Sequence, residues 1–253
     1  MANHDDLIQL LLRLADNGMI NGQRMCEWCG KAPELEEELA LMNVGLDLIG
    51  QARNWYEYAA ELLNDGRSAD DLAFRRNERE YRNLLLLEQP NGDFAITITR
   101  QFLFDAWHRA TLKALSTSLD ERVRGIAAKG LKEVTYHFTR SSEWMQRLGD
   151  GTQVSHDRMV AAVDSLWRFT VELTECSSID KRLFEAGIGP DPEFRAKEWW
   201  DAVNDVFEAA TLSVPEPAAA FYLSGTQGLH TEHLGLLLAE MQHLQRAYPD
   251  ATW

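Results

Sequence analysis

The segment LKEVTYHFTRSSEW, residues 131–144, contains a glutamate and a histidine one helical turn apart. Helical bundles that bind two irons use a Glu-x-x-His step, in which both side chains project into the bundle. In this chain Glu133 and His137 are four residues apart, and the residue three before His137 is Val134. The spacing raises the question of whether the segment is a metal site or the remains of one.

The predicted helix over residues 120–148 bears on this question through the direction of its side chains. Successive helical residues turn by about 100°, so Val134 lies mid-stripe on the apolar face and Glu133 lies about 100° away. Glu133 is then at the margin, close to a polar side that carries Lys129 and Arg140. A valine therefore occupies the position of an inward carboxylate. The inward stripe consists of Ala127, Gly130, Leu131, Val134, His137, Phe138, Ser141, Met145 and Leu148.

The predicted helix over residues 34–63 is equally poor in inward metal ligands. Leu48 has no donor atom, and the amide of Gln51 is a weak ligand for a hard metal ion beside carboxylate or imidazole. Polar residues form a separate stripe on this helix, which carries Asn43, Asp47, Asn54 and Glu61. The apolar face consists of Leu41, Val44, Leu48, Gln51, Trp55 and Leu62.

Asp105 and His137 are the two best remaining ligand candidates, and His108 shares a helix face with Asp105. Two irons need about four carboxylates and two histidines that all project inward. Two ligands do not make that site, and a metal-free core favours Leu, Val and Gln because unpaired buried carboxylates are costly. We therefore predict no metal site and no catalytic residue. In the simpler interpretation, Asp105 and His108 pair with each other or with a neighbouring helix, and His137 is a hydrogen-bonded core histidine.

Three other patterns have structural explanations that we favour. Glu240-x-x-His243 has dimetal spacing, but His243 falls about 120° from the centre of its helix stripe, which indicates a solvated face. Cys26-x-x-Cys29 has neither a second cysteine pair for zinc nor a preceding strand, so we expect two small core residues flanking a loop. Trp199 and Trp200 are adjacent, so one ring covers a loop or anchors a partner protein.

Composition excludes several classes of protein. The 253 residues contain 40 acidic and 25 basic side chains, for a net charge of −15. Such a chain repels phosphate backbones, so no nucleic-acid partner is expected. The start of the chain lacks the features of a signal peptide, and no apolar run is long enough for a membrane helix. With three cysteines and therefore no disulfide framework, we expect a cytoplasmic protein without a membrane partner.

Helical periodicity dominates the whole chain and predicts a single all-α domain over residues 1–253, built as a bundle of long antiparallel helices. The first helix is expected to be loosened at Gly18 and Gly22, and Ser155 is expected to cap the sixth. An irregular excursion is predicted over 176–194 and a loop over SVPEP, residues 213–217. Helices are predicted over 5–28, 34–63, 71–88, 93–118, 120–148, 155–175, 195–210 and 227–246.

Four long segments together resemble a known family: EWCGKAPELEEELALMNVGLDLIGQARNW, LLLLEQPNGDFA, SLWRFTVEL and GLHTEHLGLLLAEMQHLQR. They are similar to the C subunits of bacterial phenylacetyl-CoA epoxidases, which are multicomponent ring oxygenases. The resemblance extends from about Leu11 to Trp253. It implies the ferritin-like superfamily, with a long antiparallel helix bundle and additional C-terminal helices.

The resemblance also implies how this chain differs from the catalytic A subunits. In DLIGQ, Leu48 stands for a ligand glutamate and Gln51 for a ligand histidine. In KEVTYH, Val134 replaces a ligand glutamate while His137 is kept, and Asp105 matches a retained carboxylate. The first-helix carboxylate falls near Asp16–Gly18. The resemblance thus implies a degenerate di-iron site.

The function implied by the resemblance is that of a structural subunit without a cofactor of its own. It would pair with and stabilise the di-iron A subunit among the other subunits of a complex that epoxidises the ring of phenylacetyl-CoA in phenylacetate catabolism. Two alternatives stay open at this point: a bundle that binds a CoA thioester or another small molecule, and an oxygenase using Asp105, His108 and His137. Self-association of the isolated chain is also left open.

Overall fold

The computed structural model describes residues 4–216, 223–249 and 251. These residues form helices joined by turns and loops, and they contain no β-strand. They divide into two compact units. The terminal unit contains residues 4–90, 223–249 and 251, and the central unit contains residues 91–216. That both form one domain stays a prediction. The α-helices are α1 His4–Cys26, α2 Leu35–Leu63, α3 Ala69–Phe74, α4 Leu85–Glu88, α5 Phe94–Leu115, α6 Glu121–Gly149, α7 Gln153–Trp167, α8 Val171–Thr174, α9 Ser178–Glu185, α10 Pro192–Ala209, α11 Glu232–Met241 and α12 His243–Ala247.

No helix within these described residues is both long enough and apolar enough to cross a membrane.

Helices α1 and α2 form an antiparallel pair whose backbones approach closely at glycines. A Cβ on Gly18 would lie 2.8 Å from the carbonyl oxygen of Leu48, and one on Gly22 would lie 2.7 Å from Cγ1 of Ile49. From the α2 side, a Cβ on Gly45 would lie 3.2 Å from the carbonyl oxygen of Gly22. The predicted loosening of the first helix at Gly18 and Gly22 is wrong, because these glycines admit the neighbouring helix while α1 continues unbroken to Cys26.

The predicted helix over residues 71–88 is wrong, because the chain breaks there into α3, a 3-10 turn over Glu78–Glu80, and α4. The intervening backbone turns toward a buried carboxylate on α1. The N–H of Arg82 donates to Oδ2 of Asp16 at 2.7 Å, and the N–H of Leu84 donates to Oδ1 of Asn17 at 2.8 Å. An α-helix would use those N–H groups within its own ladder, so the polar side chains of α1 select the broken path.

The C-terminal segment of the terminal unit is less helical than predicted over residues 227–246. A 3-10 turn over Gly225–Gln227 comes first, Gly228 follows with φ +77°, and α11 begins only at Glu232. A Cβ on Gly228 would collide with the carbonyl oxygen of Arg79. The His230 side chain bonds through Nδ1 to Glu88 at 3.0 Å, which attaches this irregular stretch to α4.

Helices α5 and α6 form the antiparallel pair of the central unit. The carboxylates of Asp93 and Asp120 cap them, accepting from the N–H groups of Ile96 at 3.0 Å and Val123 at 2.9 Å. A tryptophan near the end of α6 packs edge-on against the first residue of α5, with the rings of Phe94 and Trp144 5.2 Å apart. Near the other end of α5, the Arg109 guanidinium lies 3.7 Å from the centre of the Phe138 ring. The predicted helices 93–118 and 120–148 are confirmed to within about three residues.

Helices α7 to α10 complete the central unit. The cap of α7 is Thr152 rather than the predicted Ser155, whose N–H donates to Thr152 Oγ1 at 3.2 Å. The predicted 155–175 helix ends at Trp167, and the predicted irregular excursion contains α9. Residues 213–216 of the predicted SVPEP loop have no regular structure, and Pro217 lies outside the described residues.

The close packing of α1 on α2 predicts the effect of a single methyl group. In a Gly18→Ala variant, the new Cβ would meet a backbone carbonyl that cannot rotate away, so we expect unfolding to become easier by about 1–3 kcal/mol. Gly125 on α6 is the matched control, because a Cβ there meets no described atom within 4 Å. Gly125→Ala should be neutral or stabilise by up to about 1 kcal/mol, measured for both variants by urea denaturation.

Candidate functional site

The five residues predicted to mark a degenerate metal site lie in both units. Leu48 and Gln51 are on α2 of the terminal unit, whereas Asp105, Val134 and His137 are on α5 and α6 of the central unit. All five are buried, with at most 5% of the residue surface exposed. Each therefore faces an interior, as the helical periodicity predicted. Their assignment as former ligand positions stays a prediction.

The exposures of Glu133 and Arg140 can be compared with the polar side that the sequence predicts for α6. Glu133 is half-buried and Lys129 is exposed, which agrees with a marginal position for the glutamate. Arg140 was expected on the polar side with Lys129, but only 9% of it is exposed. That expectation is wrong, because the aliphatic part of a long arginine side chain can pack against apolar neighbours even when helical periodicity places the residue on the polar face.

Asp105 is a fully buried carboxylate whose two oxygens both have protein partners. Oδ1 accepts a hydrogen bond from the Gln101 amide at 2.7 Å, and Oδ2 accepts one from the Ser141 hydroxyl at 2.8 Å. Burial raises the pKa of Asp105 to about 6, although His137 and these two hydrogen bonds act in the opposite direction. The predicted pairing with a neighbouring helix is therefore confirmed through Ser141, whereas neither bond comes from His108.

His108 lies among aromatic rings, with its ring centre 4.9 Å from that of Phe104 and 6.3 Å from that of Trp107. Burial first, and electrostatic repulsion between the two imidazoles of His108 and His137 second, lower the pKa of His108 to about 3. The imidazole is therefore neutral at pH 7, and its surroundings stabilise it as an apolar packing element. His137 is likewise a core residue, with 1% of its surface exposed.

The terminal unit contains a second buried carboxylate, Asp16 on α1, at the position where the family resemblance places a ligand. Oδ1 accepts hydrogen bonds from the Tyr56 hydroxyl at 2.5 Å and from Nη2 of Arg76. Oδ2 accepts from Nη1 of Arg76 at 3.2 Å and from the N–H of Arg82 at 2.7 Å. The two oxygens of Asp16 thus accept hydrogen bonds from the Arg76 guanidinium, the Tyr56 hydroxyl and the backbone N–H of Arg82.

The ion pair of Asp16 and Arg76 is dry, with side-chain exposures of 0% and 4%. The guanidinium lies 4.3 Å from the centre of the Tyr81 ring and 5.5 Å from that of Tyr56, so both ring faces stabilise the cation. Burial, followed by the charge of Asp16, raises the pKa of Tyr56 well above its usual value. Tyr56 therefore remains a hydrogen-bond donor to the carboxylate.

Sequence reasoning missed Arg76 and Tyr56 because nothing in their local pattern marks them. Arg76 is 60 positions from Asp16 and belongs to a segment with a helical pattern that the structure does not follow. Tyr56 sits beside Trp55, and the apolar face predicted for that helix contains Trp55 but not Tyr56. The only available signal was the aspartate itself, an acidic residue one helical turn from the apolar Leu12 and Ile20.

These residues do not fit a two-iron centre. Such a centre needs about four carboxylates and two histidines directed at common points. Leu48 and Val134 have no donor atom, and the oxygens of Asp16 and Asp105 already accept protein hydrogen bonds. Across residues 4–216, 223–249 and 251, no three His, Cys, Asp or Glu side chains form a group that could hold a metal ion.

The remaining sequence candidates are dispersed over the surface and the core. Glu240 and His243 are both exposed, as expected for chance spacing on a solvated face. Cys26 is half-buried and Cys29 is exposed, so the expectation of two core cysteines is wrong for Cys29, which lies in the turn after α1.

The adjacent tryptophans on α10 differ in burial. Trp199 is fully buried and donates from its indole N–H to the carbonyl of Leu103 at 3.0 Å. Trp200 is 39% exposed and packs edge-on against the ring of Trp167 at 6.0 Å. One ring is therefore a core residue, and only Trp200 is available to a partner.

Comparison with known proteins places this chain in a family. Residues 1–253 match the family of phenylacetic acid catabolic proteins. The chain belongs to this family. The C subunit of the 1,2-phenylacetyl-CoA epoxidase of Escherichia coli strain K12 is 51% identical to it over 249 residues, which cover 98% of this chain and 100% of the relative. The predicted resemblance is thereby confirmed.

A solved structure confirms the predicted fold class, an all-α ferritin-like bundle with additional C-terminal helices. Protein 19 with aldehyde deformylating oxidase activity, from Synechococcus, matches with a TM-score of 0.55 at 16% identity. The match covers 84% of this chain and 90% of the other. At this identity the likeness concerns the fold alone.

The Asp16–Arg76 pair predicts a large effect of removing its cation. Arg76→Met should destabilise the protein by about 3–5 kcal/mol, because the Asp16 carboxylate would stay buried without a counter-charge. Arg53→Met is the control, since Arg53 forms an exposed pair with Glu57 at 2.8 Å and should cost at most about 1 kcal/mol. The free energy of unfolding in urea measures both, and similar losses in the two variants would contradict this account.

The pKa of Asp105 predicts a change of stability with pH. Because the folded pKa of about 6 lies above the ordinary value of 3.8, the folded state holds a proton that the unfolded state releases. Asp105 therefore stabilises the fold less as pH rises from about 4 to 6. An Asp105→Asn variant lacks this loss, so relative to the wild type it should gain up to about 3 kcal/mol over that range.

His108→Gln is the control for this measurement, because its pH dependence has the opposite sign. The folded pKa of His108, about 3, lies below the ordinary value of 6.5, so the wild type loses stability as pH falls between these values. The glutamine variant should lose less. Urea denaturation of the wild type, Asp105→Asn and His108→Gln between pH 4 and 7 measures how the free energy of unfolding of each protein changes with pH. If this free energy changes in parallel with pH in all three proteins, the pKa values given for Asp105 and His108 are contradicted.

Proposed function

We propose that this chain is a non-catalytic structural subunit of a phenylacetyl-CoA epoxidase, acting in phenylacetate catabolism. The observation that carries the proposal is 51% identity to the Escherichia coli C subunit across essentially the full length of both chains. Identity at this level over the whole chain argues for the same role in the same assembly. The chain would be cytoplasmic and would act as one part of a monooxygenase complex.

The buried residues support a role without chemistry of its own. Leu48 and Val134 contribute only apolar surface, and Asp16 is neutralised by Arg76. Asp105 accepts hydrogen bonds from Gln101 and Ser141, and burial favours its neutral form. Both carboxylates thus stabilise the helices that carry them, and the chain itself would need no cofactor.

The proposed partner is the catalytic A subunit, which would hold the di-iron centre. The resemblance described above implies this pairing, and it also implies contact with the other subunits of the complex. A metal-free bundle can stabilise such a partner by covering apolar surface that the partner would otherwise expose to water. Binding only the folded form of the A subunit would also raise its apparent stability by mass action.

Metal analysis combined with co-purification tests the proposal. After aerobic expression in iron-rich medium, this chain should contain no stoichiometric iron, while an A subunit expressed in parallel should contain it and serves as the control. Mixed at micromolar concentration, the two proteins should co-elute in size-exclusion chromatography. We expect no iron in this chain because its buried residues lack the donor set for iron.

Other outcomes would favour the two alternatives instead. Two irons per chain, with turnover of an aromatic CoA thioester by the isolated protein, would identify an oxygenase in its own right. Independent elution from the A subunit, together with retention of a CoA thioester in equilibrium dialysis, would indicate a ligand-binding bundle. Either result would overturn the structural role.

A further inference from the structure

An apolar ridge runs along the outer face of α2 in the terminal unit. Leu35, Leu39 and Leu46 are 67%, 54% and 60% exposed, although leucine favours interiors. With about 100° per residue, the three side chains fall within about 40° of one another around the helix. Met42 and Ile49 adjoin the ridge and are half-buried.

The ridge is separate from the face of α2 that packs on α1. The inner face carries Leu41, Val44 and Leu48, each at most 1% exposed. The outer leucines therefore form a second apolar stripe on a helix whose first stripe is already covered. A surface helix of a monomer normally has one such stripe and a polar opposite face. A second stripe indicates a second packing partner.

Gly50 provides an independent observation on the same face. It lies about 60° from Leu35 around the helix axis, and it is exposed in the middle of α2. A Cβ built there meets no described atom within 4 Å, unlike Gly18, Gly22 and Gly45, which admit the facing helix. Glycine in a helix interior is less stable than alanine, so packing within the described chain does not explain Gly50. Small residues on a helix surface allow another helix backbone to approach closely.

The charges of α2 indicate what kind of helix packs there. Its sequence contains six acidic residues against the single basic residue Arg53, which pairs with Glu57 at 2.8 Å. Glu36 and Asp47 border the ridge on one side, and Glu38 borders it on the other. A second copy of this chain would bring like charges together, at a cost in free energy. A helix with basic side chains beside its apolar stripe would be complementary.

We propose that the Leu35–Gly50 ridge of α2 is the docking surface for an amphipathic helix of a different subunit, whose apolar stripe is bordered by Lys or Arg. The ridge spans 15 residue steps, or about 22 Å, and so accommodates about four turns. Within the proposed function, on which this inference rests, the partner helix belongs to the catalytic A subunit. Leu39 and Leu46 would fill the spaces between its side chains, and Gly50 would permit close contact of the two backbones.

Two variants of this face test the proposal with the full-length chain and the purified A subunit. Gly50→Leu adds a side chain where the isolated protein has open space, so its Tm should stay unchanged or rise, while the Kd for the A subunit should increase at least about tenfold. Leu39→Glu combined with Leu46→Glu should weaken the complex at least as much. The Kd is measured by isothermal titration calorimetry and the Tm by circular dichroism.

Matched controls separate the ridge from general surface effects. Gly125→Leu on α6 is also placed in open space, and Leu236→Glu replaces an apolar residue that is 69% exposed on α11. Both should leave the Kd unchanged. An unchanged Kd in the Gly50 and Leu39/Leu46 variants would overturn the proposal while leaving the structural-subunit function in place.

Two further outcomes are distinguishable in the same experiment. If the wild-type chain itself fails to bind the A subunit, the proposed function fails and this assignment of the partner fails with it. If the isolated wild-type chain dimerises in sedimentation velocity and Gly50→Leu makes it monomeric, a second copy occupies the ridge. That result would overturn the assignment to a different subunit.

Discussion

The terminal unit is organised around one buried ion pair between Asp16 and Arg76. The Asp16 side chain has no exposed surface, and an ionised carboxylate in that position needs a counter-charge and hydrogen bonds, since burying the charge unpaired is strongly unfavourable. The partners come from three parts of the chain: α1 supplies the carboxylate, α2 supplies Tyr56, and the stretch after α3 supplies Arg76 and the N–H of Arg82. This requirement holds the broken segment between α3 and α4 against α1.

The same pair reaches the C-terminal segment through the backbone of Arg76. Its carbonyl oxygen accepts hydrogen bonds from the side chains of Gln242 at 3.0 Å and Arg246 at 2.9 Å. Gln242 also donates to the Tyr81 hydroxyl at 2.8 Å, and that ring covers the Arg76 guanidinium. The first and last segments of the chain therefore join in one unit because they satisfy the same group of buried polar atoms.

Asp16 and Asp105 are buried acidic residues whose carboxylate oxygens all accept hydrogen bonds from the protein. In the central unit, neutral hydrogen-bond donors satisfy Asp105, and burial favours its protonated form. In the terminal unit, a guanidinium satisfies Asp16 and keeps its charge balanced. Both arrangements use the oxygens that a metal would need. Because these buried carboxylates stabilise the fold, the function that we propose depends on the surface. There α2 presents an apolar stripe and a strong excess of acidic side chains.

The sequence by itself determined the helical class, the bounds of α2, α5 and α6 to within a few residues, and the inward direction of Leu48, Asp105, Val134 and His137. These features depend on local periodicity and on capping residues such as Asp93 and Asp120, which act over a few positions. Family membership was also readable from the long matching segments. Only the tertiary structure decided the broken path over 75–84, the start of α11 at Glu232, and the burial of Arg140. Each of these depends on groups far away in sequence, as Arg76 depends on Asp16, and local patterns contain no information about such partners.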